Sequence, residues 1–320
     1  MKESVLWYND PAADFNSALP VGNGRIGGMI YGRPEKELIE LNEDSVWSGG
    51  KRNRLNPDAL EGLKEVRQLL SEEKIPEAEK LAFSKLQGVT PNSRHYMPLG
   101  NLYIDMKLQG AAREYKRGLD LENALAFTEF ISGETSYKRE VFVSEPDSVM
   151  VVHLSAENGT LEFSAYIDGR DDYYDDNRPV KDNIIMYSGG TGGKNGIFFA
   201  AALAASSTDG KVYTQGGKIY IENATDAMLI LAARSSYYTD EAYEDAALMD
   251  AEYALECTYD ELRYRHICDY GELYDRVSFS LNDNSEGGCE LPTDERILRM
   301  RGNDFDDKEC DRHIHDNGLM

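Results

Sequence analysis

From residue 102 to residue 232 the sequence repeats one pattern: a short run rich in Val, Ile, Leu, Phe, Tyr and Ala, closed by Gly, Asp, Asn or Pro before the next begins. The runs fall at 102–106, 115–121, 126–132, 137–143, 149–154, 161–167, 183–187, 197–204, 211–214, 218–221 and 227–232. No segment of helical period separates one run from the next, so parallel βαβ units are excluded as the organising motif. Strands in such number bury their apolar sides best as two sheets packed face to face. The expected fold is mainly β: a large antiparallel two-sheet super-sandwich with two inserted helices, followed by a long linker helix.

The flanking segments follow the same logic. Residues 26–31 and 38–41 are strand-like, punctuated by Pro20, Gly22, Gly24 and Pro34. Between 56 and 86 the period changes: Leu60, Leu63, Val66, Leu69 and Leu70 recur at helical spacing, and Pro76 opens a second helix carrying Ala78, Leu81, Ala82 and Leu86. After Asp240, Leu248, Ala251, Leu255, Tyr259, Leu262, His266, Tyr270, Leu273 and Val277 fall in steps of three and four, which predicts one long amphipathic helix, weakened near Gly271. Residues 277–281 alternate like a strand, and Pro292-Thr293-Asp294-Glu295 has the form of a helix start.

With 58 acidic against 34 basic residues, the net charge of −24 repels phosphate backbones, so neither nucleic acid nor an anionic membrane is an expected partner. The opening residues contain no apolar run of signal-peptide length, and no stretch of about 18 apolar residues follows, which makes a cytoplasmic protein the expectation. Cys257, Cys268, Cys289 and Cys310 show neither CxxC spacing nor the density of a disulfide scaffold, in keeping with a reducing compartment.

Several motifs look chemical until their context is weighed. Gly22-Asn23-Gly24-Arg25-Ile26-Gly27 matches GxGxxG, but Pro20 precedes it and a β-like run follows where a dinucleotide site needs a helix. A turn requiring positive φ explains it better. Ser188–Asn195 lacks the first Gly and the final Ser or Thr of a phosphate loop and reads as a hairpin loop. The acidic stretch from Asp168 to Arg178 lacks the alternating oxygens of an EF-hand and reads as a solvated loop, sugar contact being the alternative. Cys310, His313 and His315 lack a fourth ligand, and His95, His153 and His266 have no triad pattern. No metal or cofactor is expected.

Three segments carry a resemblance: Leu6-Trp7-Tyr8, residues 18–27 (ALPVGNGRIG) and residues 41–50 (LNEDSVWSGG). With residues 56–60 (NPDAL), 96–102 (YMPLGNL) and 291–296 (LPTDER), their order and spacing are similar to the amino-terminal domain of family 95 glycoside hydrolases, α-L-fucosidase-like enzymes, over residues 5–300. The resemblance implies a β super-sandwich and helical linker ahead of an (α/α)6 barrel and a small β-domain. It implies hydrolysis of terminal α-1,2-linked L-fucose with inversion, by a general-acid Glu and a water activated through Asn and Asp, all on the barrel. Inversion requires carboxyl functions about 6.5 to 9.5 Å apart on opposite sides of the sugar, and none here can be matched to them, so no catalytic residue is assigned.

On this reading residues 1–238 form the sandwich, 239–290 the helical linker and short strand, and 291–320 the start of the barrel region, cut short and departing from the family after Lys308. The chain alone is expected to be inactive, its partners being the missing catalytic barrel and a fucosylated oligosaccharide. Asn23, Arg25, Asn42, Glu43, Trp47, His95 and Tyr96 are the candidates for the rim of the substrate pocket. The alternatives are a stand-alone carbohydrate-binding module using Trp7, Trp47 and residues 171–176, and the same family acting on α-L-galactosides.

Overall fold

A computed structural model describes residues 4–50, 53–89, 94–170, 174–193, 195–239, 242–278 and 291–301. Two units divide the chain: Met1–Val46, Pro98–Gly190 and Phe198–Met320 make one, Trp47–Met97 and Thr191–Ile197 the other.

The first unit is built on two antiparallel sheets. The strands in chain order are β1 (Val5–Tyr8), β2 (Leu19–Gly22), β3 (Ile26–Ile30), β4 (Lys36–Glu43), β5 (Gly100–Met106), β6 (Arg113–Asp120), β7 (Leu125–Ser132) and β8 (Thr135–Ser144). They continue with β9 (Val149–Glu157), β10 (Leu161–Asp168), β11 (Asp176–Lys181), β12 (Ile184–Gly190), β13 (Phe198–Ser207), β14 (Lys211–Gln215), β15 (Lys218–Ala224) and β16 (Asp226–Ser235). The nine-stranded sheet runs β1-β6-β7-β8-β9-β16-β13-β12-β11, and the seven-stranded sheet β14-β15-β10-β5-β4-β3-β2. Strands β2 and β3 meet β7, β8 and β9 across the interface, and β15 meets β12 and β13. This is the expected sandwich.

The two sheets differ in how they are covered, and their sequences show why. β5, β10 and β15 alternate buried and half-exposed positions, as befits a sheet with one face on the core and one toward solvent. In contrast, β12, β13 and β16 are buried almost without interruption. Helix α4 (Tyr243–Leu255) closes their second face, packing on β13 and β16. Ala247, Ala251 and Ala254 line its inner side against Ala200, Ala202 and Ala204, and small residues on both surfaces let helix and sheet approach closely.

The residues from Leu248 to Val277, expected as one helix, are not one. Helix α4 ends at Leu255, and α5 (Tyr259–Tyr274) begins afresh with Thr258 as N-cap: its hydroxyl accepts from the Glu261 amide while the Glu261 carboxylate accepts from the Thr258 amide. Thr-x-x-Glu is a capping box, so the chain restarts its helix although the apolar period runs on through the break. Val277 lies beyond the helix and Leu273 is exposed. Of the strand expected at 277–281, Val277 and Ser278 are not in a strand, and the remainder lies outside the described residues.

Three strands fall outside the runs expected from sequence: β1, β2 and β11. Asp176–Lys181, which begins inside the acidic stretch 168–178 read as loop, forms β11 at the edge of the nine-stranded sheet. An edge strand tolerates Pro179, and the pairing with β12 shifts register beside it. Asp171, Asp172 and Tyr173 lie outside the described residues, as do Cys289, Cys310, His313 and His315.

The second unit contains helices α1 (Ala59–Ser71) and α2 (Ile75–Lys85), with Pro76 in the first turn of α2 where its missing N–H costs nothing. The helices pack together through Gly62, where a β-carbon would meet Lys85 Cβ at 2.5 Å. Asn56 fixes the end of α2 by donating to the carbonyls of Lys85 and Gln87. Two short helices complete the first unit: α3 (Ser236–Thr239), directly after β16, and α6 (Thr293–Arg301), whose Thr293 hydroxyl accepts from the Trp7 amide at 3.0 Å.

Candidate functional site

The GxGxxG segment is a β-hairpin. β2 and β3 pair from Leu19–Ile30 to Gly22–Gly27, and Gly24 takes φ +89° at the tip, the conformation the sequence required. Asn23 pins the turn: its side-chain oxygen accepts from the amides of Arg25 and Ile26 at 3.0 and 2.9 Å, and its amide donates to Ser144 O. The hairpin thereby aims Arg25 at the end of β4.

At that end Glu43 is completely buried. It shares the inward face of β4 with Glu37, Ile39 and Leu41, whereas Asn42 lies on the opposite face, in register with Gly27. Its carboxylate accepts from the Ser45 amide (2.9 Å), the Ser45 hydroxyl (2.5 Å) and Arg25 Nη2 (3.1 Å). Burial pushes the Glu43 carboxyl above the ordinary range, and the bonds from Ser45 and Arg25 oppose the shift. Ser45 in turn touches Ser235 Oγ at 2.5 Å, tying the loop after β4 to the end of β16. A buried carboxylate so engaged serves as an anchor for this corner, with no open side for a sugar hydroxyl.

The solvent side of the same corner is different. Tyr238 on α3 is exposed, donates to Asp44 Oδ2 at 2.8 Å, and lies under the Arg25 guanidinium, 4.5 Å from its ring centroid. Arg25, Asp44 and Tyr238 together offer a cation, a carboxylate and a phenol at one surface point, a set able to hydrogen-bond a polyol. Tyr238 was not among the candidates from sequence; the Tyr237-Tyr238 pair just after an apolar strand was the available signal.

The remaining candidates belong to the second unit. Trp47 and Tyr96 face each other across an antiparallel bridge with ring centroids 5.1 Å apart and planes inclined at 54°. Ser48 and His95 exchange two hydrogen bonds, Ser48 N–H to His95 O and His95 N–H to Ser48 Oγ. Trp47 is 39% exposed and Tyr96 45%, so the pair presents an aromatic platform to solvent. The structure thus gathers Asn23, Arg25 and Glu43 at one corner of the first unit, and Trp47, His95 and Tyr96 in a strip of the second.

Other polar groups take structural roles. His153 stacks on Tyr259 and contacts Asp226 at 2.7 Å. His266 is buried, stacked on Phe142, and donates to Asn123 O at 3.0 Å. Of the segment read as a hairpin loop, Ser188–Gly190 end β12, paired with β13, and the turn toward β13 follows, with Gly192, Gly193 and Asn195 at positive φ; Lys194 lies outside the described residues. Among the described residues no group of three or more His, Cys, Asp or Glu is placed to hold a metal ion.

A family model for the glycosyl hydrolase family 65 N-terminal domain matches residues 6–240, which is the greater part of the chain. The chain belongs to this family. The chain is similar to alpha-L-fucosidase 2 of Arabidopsis thaliana, 31% identical over 316 residues, covering 88% of this chain and 37% of that protein. It is also similar to a probable alpha-fucosidase A of Aspergillus niger, 28% identical over 321 residues, covering 91% of this chain and 39% of the relative. The chain spans about two fifths of the length of these relatives. A putative kojibiose phosphorylase from the human microbiome shares the fold, with TM-score 0.51 at 11% identity over 85% of this chain and 38% of that one.

Proposed function

We propose that this chain is the amino-terminal sandwich portion of an α-L-fucosidase-like glycoside hydrolase of the family 95 type, and that it serves as scaffold while a separate barrel performs the hydrolysis of a fucosylated glycan. The observation that carries the reading is the match to two fucosidases over about nine tenths of this chain but only two fifths of theirs. The chemistry agrees: Glu43, the buried carboxylate among the rim candidates, is held by three donors rather than aimed into a cleft.

Exposed Tyr237 and Tyr238 on α3, Met249 and Tyr253 on α4 and Tyr264 on α5 support a docking role for this helical side. Met249 and Tyr253 stand one turn apart on one helix face, an arrangement suited to a partner surface. At the rim, Arg25 and Tyr238 would contribute hydrogen bonds to substrate. The fucosidase relatives favour L-fucose over L-galactose as the sugar.

The test is a domain exchange. Replacing the matched segment of the Arabidopsis relative by this chain should preserve release of L-fucose from a 2′-fucosylated oligosaccharide, and Tyr253→Glu should abolish it. The isolated chain should release none. Turnover by the isolated chain that disappears in Glu43→Gln would overturn the scaffold reading.

A further inference from the structure

We propose that the solvent face of the seven-stranded sheet carries a binding site for a neutral oligosaccharide, separate from the corner around Arg25. The inference rests on side-chain placement alone and stands or falls independently of the fucosidase reading.

Registers across five strands set Tyr213, Tyr220, Ser164, Asp105 and Lys36 side by side on β14, β15, β10, β5 and β4. All but Tyr213, on the edge strand β14, alternate with buried neighbours that face the other sheet, so the row looks outward. Tyr213 and Tyr220 stack with centroids 5.2 Å apart and planes at 13°. Lys211 lies over the Tyr213 ring at 4.2 Å, and Tyr220 is the member of the pair that borders Ser164. Ser164 is the one small side chain in the row. It opens a cleft of about 350 Å³ between the tyrosine pair and the far wall formed with Asp105 and Lys36, with Glu222 at its end.

The next row repeats the theme, with Tyr103 and Tyr166 paired and stacked at 5.2 Å and 21°. Two stacked tyrosine pairs, each with a lysine over one ring (Lys211 on Tyr213, Lys218 on Tyr166), stand beside a notch walled by carboxylates and the lysines Lys36 and Lys107, and they match the needs of a pyranose chain. Its apolar ring faces lie against aromatic rings, and its hydroxyls donate to Asp105 and Glu222 and accept from Lys36. Phosphorylated or sulfated ligands are disfavoured by these carboxylates and by the chain's net charge of −24. A basic peptide is the competing occupant, and tyrosine pairs with a serine notch favour the sugar over it.

Isothermal titration of the full chain with cellohexaose, xylohexaose, maltohexaose and a 2′-fucosylated milk oligosaccharide tests the assignment, with a Lys-rich peptide as competitor. Saturable binding of at least one oligosaccharide is expected. Tyr220→Ala removes the platform and Ser164→Arg fills the notch while leaving every tyrosine in place. Each should weaken binding about tenfold or more, with thermal melts reporting that the variants fold. No saturable binding across the panel, equal affinity in Ser164→Arg, or binding of the peptide alone would overturn the proposal.

Discussion

Replacing Arg139 by Met should destabilise the sandwich by about 3 to 5 kcal/mol, because it strands a buried carboxylate. Arg139 on β8 and Glu37 on β4 join the two sheets, and both side chains are buried. Glu37 Oε1 accepts from the Gly32 amide at 2.8 Å and the Leu38 amide at 3.2 Å, while its other oxygen meets Arg139 Nη1. Arg139 otherwise reaches the Arg33 carbonyl at 3.3 Å and the Met106 sulfur.

Without the guanidinium, backbone amides alone must hold a charge out of water, and a domain's whole stability is only about 5 to 15 kcal/mol. Replacing both partners, as in Glu37→Leu with Arg139→Met, removes charge and counter-charge together and should restore stability to within about 1 kcal/mol of the original or exceed it. Burial already pushes the Glu37 carboxyl above its ordinary value, opposed by Arg139 and the backbone amides. A carboxyl raised in the folded state stabilises the fold below its unfolded pKa and loses that contribution as pH rises. The cost of Arg139→Met should therefore be smaller near about pH 5 than near about pH 7.5. Urea unfolding of the three proteins at both pH values measures this. A single variant losing under about 1 kcal/mol, or a double variant as weak as the single, would refute the reasoning.

Three further outcomes are expected. Burial holds the His266 imidazole below its ordinary pKa, so its contribution is present above about pH 6.5 and fades as pH falls; in urea unfolding, the pH dependence there should be shallower in His266→Gln. Thr258→Ala should cost about 1 kcal/mol by opening the capping box of α5, seen as a lower midpoint with an unchanged urea slope. Gly28→Ala should cost about 1 to 3 kcal/mol in the same assay, since a β-carbon there would stand 2.6 Å from Met150 Cε and 2.9 Å from Ile39 Cγ2 between the sheets.

Much of the fold was legible because burial has a local period. Apolar runs closed by turn residues announced β5, β10, β13 and β16 as strands, and the structure adds that the first two lie in a half-covered sheet and the last two are covered on both faces. The turn at Gly24 and the start of α2 at Pro76 followed from the conformations those residues favour. Thr258-x-x-Glu261 was equally readable, yet the apolar period running past it masked the helix break. β11 was obscured by its own polarity, since an edge strand needs little apolar character.

What tertiary structure alone decided is which distant residues meet. Arg25 lies beside Tyr238 and Ser45 beside Ser235 because β4 and β16 belong to different sheets that end at one corner. Tyr220, Ser164 and Asp105 share a row only through the register of three strands. Periodicity is a property of neighbours along the chain and is written in the sequence; strand order and register depend on packing between segments far apart in it, and a slip of one residue would turn each of those side chains to the opposite face.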